Sequence, residues 1–184
     1  MPTPITHAVL AAAATGAVFG RRAPGKTWLL AGLCSTLPDL DCVGFALGIP
    51  YGHMLGHRGL SHGLVFAACL ALAVTYLGYR EARALSRPWW GMWAFFFLLT
   101  ASHGLLDAMT DGGLGIAFLA PFSNARYFLP YRPLRVAPIG LVPMFSRWGA
   151  EVMASEVVWL WLPAAAVLVL GWLLRRQRAS KASE

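Results

Sequence analysis

Long apolar runs interrupted by a few expensive polar residues are the strongest constraint on this chain. Apolar segments cover residues 5–19, 27–47, 62–79, 88–109 and 155–174, and aspartates or histidines fall within or beside four of them. A span of a bilayer core needs about 20 apolar residues in a helix. Acids and imidazoles at that depth are costly unless they face protein, water or an ion. Composition agrees: 58% of the 184 residues are hydrophobic and only 12% charged, where a soluble domain carries about 25% charged residues. The reading is an all-α integral membrane protein, a single transmembrane domain over residues 1–184. About five transmembrane helices are expected, with a long irregular outer loop covering a polar site.

The boundaries follow from local signals. Thr3 caps a first helix from Thr3 to Phe19, with Pro4 in its first turn. A second helix runs from Thr27 to Leu37, where Pro38 interrupts it, and an extended backbone is expected across Asp39 and Asp41. Residues 48–61 form a Gly-rich loop. Ser61 is the expected cap of a third helix, from His62 to Tyr79. A fourth runs from Pro88 to Met109, with Trp89, Trp90 and Trp93 as an interfacial belt. Residues 110–154 are rich in Gly and Pro and suit turns and short interfacial helices. A fifth helix spans residues 155–174, ahead of a basic tail at 175–184.

The net charge of +7 does not indicate nucleic acid, because the cations sit in groups between apolar runs. Five alternating spans place ten of them (Arg21, Arg22, Lys26, Arg80, Arg83, Arg87, Arg175, Arg176, Arg178 and Lys181) on one side. Five remain on the other: Arg58, Arg126, Arg132, Arg135 and Arg147. The positive-inside rule makes the first side cytoplasmic. The N-terminus is then outside and the C-terminus inside. No Lys or Arg precedes the first apolar run, so it reads as a retained helix and not as a signal peptide. Cys34, Cys42 and Cys69 have no metal or disulfide spacing and read as small core residues.

This topology gathers His7, Asp39, Asp41, His57, His62, His103, Asp107 and Asp111 at the outer face. His103 and Asp107 are four apart on one helix face, about 6 Å from each other. Asp111 extends the row by a turn. Asp39 and Asp41 need a positive partner if both stay ionised in a half-buried place. His57 and His62 flank a Gly-containing turn. Imidazole with carboxylate suits zinc first, and manganese or iron. Seven or eight candidate ligands, where one zinc takes three or four, point to two divalent ions and to hydrolysis. Asp41 and His62 are then candidate catalytic groups. Arg58 is a candidate clamp for an anion or oxyanion, with a salt bridge to Asp39 or Asp41 as its structural alternative. Arg126, Arg132 and Arg135 are candidates to hold phosphate, or else to anchor head groups. Ser61 and Ser102 adjoin histidines in sequence, but helical neighbours do not face each other, so no Ser-His-Asp group is expected.

Thr6-His7, Leu37-Pro38-Asp39-Leu40-Asp41, His57-Arg58-Gly59-Leu60-Ser61-His62 and His103-Gly104-Leu105-Leu106-Asp107 together resemble the YdjM-like family of bacterial inner-membrane proteins, described as membrane-bound metal-dependent hydrolases. The likeness covers residues 1–140. The HxxxD step also resembles zinc-dependent phospholipase C. The resemblance implies a multi-pass protein of the bacterial inner membrane that uses metal to hydrolyse a lipid or lipid-linked phosphoester or ester. A transporter of metal ions or protons, and a metal-stabilised scaffold without catalysis, are the alternatives. Substrate and oligomeric state are left open.

Overall fold

The computed structural model describes residues 1–21 and 23–181. Arg22 of the first basic group and residues 182–184 of the tail lie outside them. Among the described residues the chain is all-helical, with two isolated bridges and no strand. The principal helices are α1 (Pro4–Phe19), α2 (Gly25–Thr36), the short α3 (Val43–Ala46), α4 (Leu64–Gly78) and α5 (Arg87–Ala108). They are followed by short α6 (Leu141–Met144), α7 (Arg147–Glu156) and α8 (Leu162–Lys181).

Helix α1 begins as expected: the Thr3 hydroxyl accepts from Thr6 N–H, and Pro4 occupies the first turn. Helix α5 starts one residue earlier than expected because Ser86 caps it, accepting from Trp89 N–H. Helix α7 runs through a wide turn, Val157–Trp161, into α8, so the last helical stretch starts at Arg147 and not at Ser155. Gly25–Ala46 and Arg147–Leu173 are long and apolar enough to cross a membrane, while Pro4–Phe19 and Leu64–Gly78 are apolar but shorter. At 1.5 Å per residue the last two reach about 24 and 22 Å, short of a core about 30 Å thick.

Helix α2 packs between α1 and α5; α4 lies against α5, and α8 against α1. Ala11, Ala31 and Ala71 are fully buried where these helices meet. Small side chains let backbones approach closely, which is how helices associate when lipid offers no hydrophobic drive. Phe96, Leu99, Cys34 and Tyr79 complete this apolar core. Of the cysteines only Cys34 is fully buried; Cys42 is half-buried and Cys69 exposed. Trp89 is buried too, so the aromatic belt is only partly at the surface.

Three local expectations are revised. The backbone after Pro38 is a tight 3₁₀ turn, Leu37–Cys42, and not extended. Ser61 does not cap α4, which starts at Leu64 behind Gly63 without a side-chain cap. His62 belongs to a separate 3₁₀ turn, Leu60–His62. The 110–140 segment folds back on the helix ends. Ile116 and Tyr127 exchange two backbone hydrogen bonds, and Leu129 N–H donates to Ala108. Ile116, Ala117, Ala120 and Leu134 are fully buried within it.

Candidate metal centre

Three elements bring four side chains to one point. The 3₁₀ turn after α2 brings Asp39, the turn before α4 brings His62, and the last turns of α5 bring His103 and Asp107. One donor atom from each of these four lies within 4.8 Å of all the others. His62 Nε2 is 3.1 Å from His103 Nε2, 3.7 Å from Asp39 Oδ1 and 3.5 Å from Asp107 Oδ2. His103 Nε2 is 3.3 Å from Asp39 Oδ1. Donors bound at about 2.0–2.1 Å around a tetrahedral ion sit about 3.3 Å apart. The group has that spacing.

Hydrogen bonding separates this group from its surroundings. Both oxygens of Asp39 and both of Asp107 are buried with no hydrogen-bond partner. Unpaired buried carboxylates are costly enough that native proteins supply a counter-charge. Asp41 is the opposite case. Its Oδ1 is 2.6 Å from His57 Nδ1; its Oδ2 accepts from Arg58 N–H at 3.1 Å and from Ser61 Oγ–H at 2.5 Å. The same Oδ2 lies 3.1 Å from His62 Nδ1. Side chains advance about 120° per residue in a 3₁₀ turn. Asp39 and Asp41 therefore do not share a side, as an extended backbone would have them do. They take opposite nitrogens of one imidazole.

Those contacts set the tautomers. The Ser35 carbonyl, 2.7 Å from His103 Nδ1, can only accept, so that nitrogen carries the proton. Ser61 Oγ, 2.9 Å from His62 Nδ1 and with its own proton given to Asp41, does the same for that nitrogen, with the Asp41 carboxylate 3.1 Å away. In their neutral forms both rings then turn Nε2 lone pairs toward the unpaired carboxylates. An imidazole held at one nitrogen by an acceptor and open at the other is the usual metal-ligand arrangement. The residues fit a divalent ion of the zinc, manganese or iron class.

His7 is fully buried against the group. Its ring stacks on His103 with centroids 3.8 Å apart, Nε2 is 3.5 Å from Asp107 Oδ1, and neither ring nitrogen has a hydrogen-bond partner. Arg58 is also buried. Its Nε is 3.4 Å from Asp107 Oδ2, while Nη1 donates to the Gly112 carbonyl and Nη2 to Thr110 Oγ1. The salt-bridge alternative thus holds for Arg58, with Asp107 as partner and not Asp39 or Asp41. Arg58 has φ 64°, a left-handed conformation that costs an L residue energy. Gly59 follows because a Cβ there would sit 2.1 Å from the Met54 carbonyl oxygen. His57 and His62 form with Asp41 a second, smaller group able to hold an ion. That group uses the Asp41 side of His62, so the two groups share one ring.

The remaining sequence candidates stand apart. Asp111 is not among the clustered ligands. It accepts from Arg135 Nη1 at 2.9 Å and from Val136 N–H at 2.8 Å, because the chain turns away after α5 ends at Ala108. Burial pushes its carboxyl up, but the Arg135 hydrogen bond and charge and the Val136 amide outweigh this and hold it below its ordinary value. Arg135 is spent on Asp111 and Glu151. Arg126 donates to the main-chain carbonyls of His57, Tyr51 and His53, a clasp on the loop that carries His57. Arg132 lies over the Phe128 ring.

Two residues emerge only in three dimensions. Ser61 Oγ is 2.9 Å from His62 Nδ1 and donates to Asp41, so sequence neighbours do meet here, in a 3₁₀ turn instead of a helix. Glu156 is fully buried and accepts from Thr3 N–H at 2.6 Å, Thr3 Oγ1–H at 2.7 Å and Thr6 Oγ1–H at 2.5 Å. It ties α7 to the first turn of α1, next to His7. A lone acid at the head of an apolar run was the signal for it.

Comparison with known proteins places the whole chain in one family. The family model described as YdjM inner membrane protein matches residues 1–178. The chain is 38% identical over 178 residues to the inner membrane protein YbcI of Escherichia coli strain K12, covering 96% of this chain and all of that one. No solved structure matches significantly. Asp39, His62, His103 and Asp107 lie wholly within the matched span, and the chain belongs to the YdjM family of inner membrane proteins.

Proposed function

We propose that the chain is a membrane-embedded metal-dependent hydrolase that cleaves a phosphoester or ester in a lipid or lipid-linked substrate at the outer face of the inner membrane. The observation that carries this reading is the set of four buried oxygens on Asp39 and Asp107 that accept no hydrogen bond and lie beside two Nε2 atoms. Asp39, His62, His103 and Asp107 would hold one ion. Such an ion supplies Lewis acidity toward a carbonyl or phosphoryl oxygen and acidifies water. We assign one ion to this group; the smaller group of Asp41, His57 and His62 would hold the second ion expected from ligand counting only by giving up the hydrogen bonds on Asp41.

Other residues then take distinct parts. Asp41, with Ser61, holds the His62 ring. His7, unpartnered beside Asp107, is placed to take a proton and return it to a leaving group. The Arg58 guanidinium holds Asp107 and the 110–112 turn, and lines the cavity beside the site, where it meets an anionic head group. Transport fits less well. The helices below the site meet through Ala11, Ala31, Cys34, Ala71, Phe96 and Leu99, and the buried polar groups among them, such as Thr15, Thr75 and Thr100, are hydroxyls, with no buried Asp, Glu or His among the described residues there.

The test is metal analysis of protein purified in detergent, followed by turnover of a phospholipid and of a soluble phosphoester. One transition-metal ion per chain, with metal and turnover both lost in Asp107→Ala, is expected. A folded wild-type protein free of metal under metal-replete purification would refute the site. Metal without turnover of any ester would favour the scaffold.

A further inference from the structure

We propose that the segment Ile139–Trp148 is a lipid-contacting rim, lying at the head-group level and admitting a phospholipid head group to the cavity beside Arg58. The substrate part rests on the hydrolase reading; the placement of the rim does not. Three observations carry it.

The segment shows apolar side chains to its surroundings with no protein to cover them. Phe145 is 92% exposed and Val142 84%, with Ile139 and Trp148 about half exposed. Gly140, at φ 107°, allows the reversal that sets up this edge. Beside them the Arg147 side chain is 94% exposed although its Nε reaches Glu151, leaving its other donors to lipid phosphate. Exposed large apolar groups with a basic neighbour are the composition of a segment lying in a membrane interface.

The rim is also continuous with a span. Arg147–Leu173 is long and apolar enough to cross a membrane, so the residues leading into it stand where a bilayer ends. A lipid surface is therefore the occupant, and not a second copy of the chain or a soluble partner.

Ile139 and Trp148 are shared between this rim and a cavity of about 280 Å³. Val136, Ala137 and Pro138 continue its wall, and His57, Arg58 and Tyr51 line its inner part. At about 280 Å³ the space falls just short of the roughly 300 Å³ at which ligand pockets begin, so it suits a head group alone, with the chains left at the rim. It grades from apolar at the rim to basic at the buried Arg58, which is the polarity order of a lipid whose head group has entered while its chains stay toward the membrane.

Two measurements on the full chain in phosphatidylethanolamine–phosphatidylglycerol nanodiscs test it. In the first, a spin label is placed on Phe145→Cys with Cys69→Ser, and labelling of Cys69→Ser alone sets the blank. Greater collision with oxygen than with a water-soluble nickel chelate is expected, at a depth of about 5–10 Å; the reverse order would overturn the rim. In the second, a photo-crosslinking amino acid replaces Ile139. Attachment to phospholipid is expected, whereas attachment to a second copy, or to nothing, would overturn the proposal. Neither readout needs turnover, so both can succeed with the hydrolase reading refuted. Ester turnover with a water-exposed label would do the converse.

Discussion

Asp41 Oδ2 lies 3.1 Å from His62 Nδ1, and this contact aims the other nitrogen of the ring at Asp39, His103 and Asp107. A carboxylate behind a ligating imidazole orients the ring and raises its basicity, and its loss costs about 10- to 100-fold in metal affinity or activity. Asp41→Asn should therefore weaken metal binding by about that factor without abolishing it. Asp39→Asn should remove a ligand and leave no ion after dialysis. Competition with a graded chelator series distinguishes them. Equal, complete loss in both variants would restore Asp41 to the ligand set and favour two ions.

The same pair gives a stability prediction whose sign depends on metal. Without an ion, Asp39 is a buried carboxylate with no hydrogen-bond partner, so neutralising it relieves a cost. Chelator-treated Asp39→Asn should melt above chelator-treated wild type in detergent. With metal the order should reverse, because wild type gains about 2.7 kcal/mol at an ion concentration 100 times Kd. An unchanged order across the two conditions would mean that no ion binds at Asp39.

His7 can be a ligand or a proton carrier, and one variant separates these. Its Nε2 faces Asp107 Oδ1, and its ring lies flat on His103. His7→Gln should keep the metal while kcat falls by about 10²- to 10⁴-fold, the range for a lost general acid or base. Loss of metal on the same substitution would make His7 a fifth ligand.

Much of this site was legible in the sequence. The helical spacing of His103 and Asp107 and the flanking of a turn by His57 and His62 anticipated the two groups that the structure brings together. The limits have physical causes. Asp39 and Asp41 differ in role because a 3₁₀ turn separates their directions, and a Pro followed by alternating acids suits an extended backbone equally well. Asp111 keeps the helical spacing of its row, but α5 ends at Ala108, before that spacing could place it. Arg126 and Arg135 are spent on main-chain carbonyls and surface acids, which depend on how residues 110–140 fold back. Hydropathy located the apolar helices, yet only Gly25–Ala46 and Arg147–Leu173 are long and apolar enough to cross a membrane; α1 and α4 are shorter, and length is what separates a span from a buried helix.

Glu156 should matter for stability out of proportion to its distance in sequence from α1. Glu156→Ala leaves Thr3 N–H, Thr3 Oγ1–H and Thr6 Oγ1–H without their acceptor in a buried place, and each orphaned donor costs about 1–3 kcal/mol. Thermal unfolding in detergent should show a large loss for Glu156→Ala and a smaller one for Glu156→Gln, which keeps one acceptor oxygen. Trp161 Nε1–H also donates to Thr6 Oγ1, so its fluorescence should shift in both variants. Wild-type melting of Glu156→Ala would show that this anchor contributes nothing.

The Asp111–Arg135 pair predicts a pH dependence at the cavity wall. Asp111 is held below its ordinary carboxylate value, burial opposing and the Arg135 and Val136 contacts prevailing. A carboxylate depressed on folding stabilises the native state above its unfolded pKa, about 3.9, and loses that contribution as pH falls through its folded value. Asp111→Asn should therefore melt below wild type by a constant margin from neutral pH down to about pH 4, and the margin should close under more acid conditions. A partly exposed pair is worth only about 0.2–1 kcal/mol, so the margin is small and should shrink in high salt. Because Asp111 also accepts from Val136, the wall residue between Arg135 and Ala137, the substitution should loosen the cavity without displacing metal. Unfolding curves at several pH values, with ion content measured on the same samples, check both halves. A margin that widens on acidification would contradict the sign assigned to Asp111.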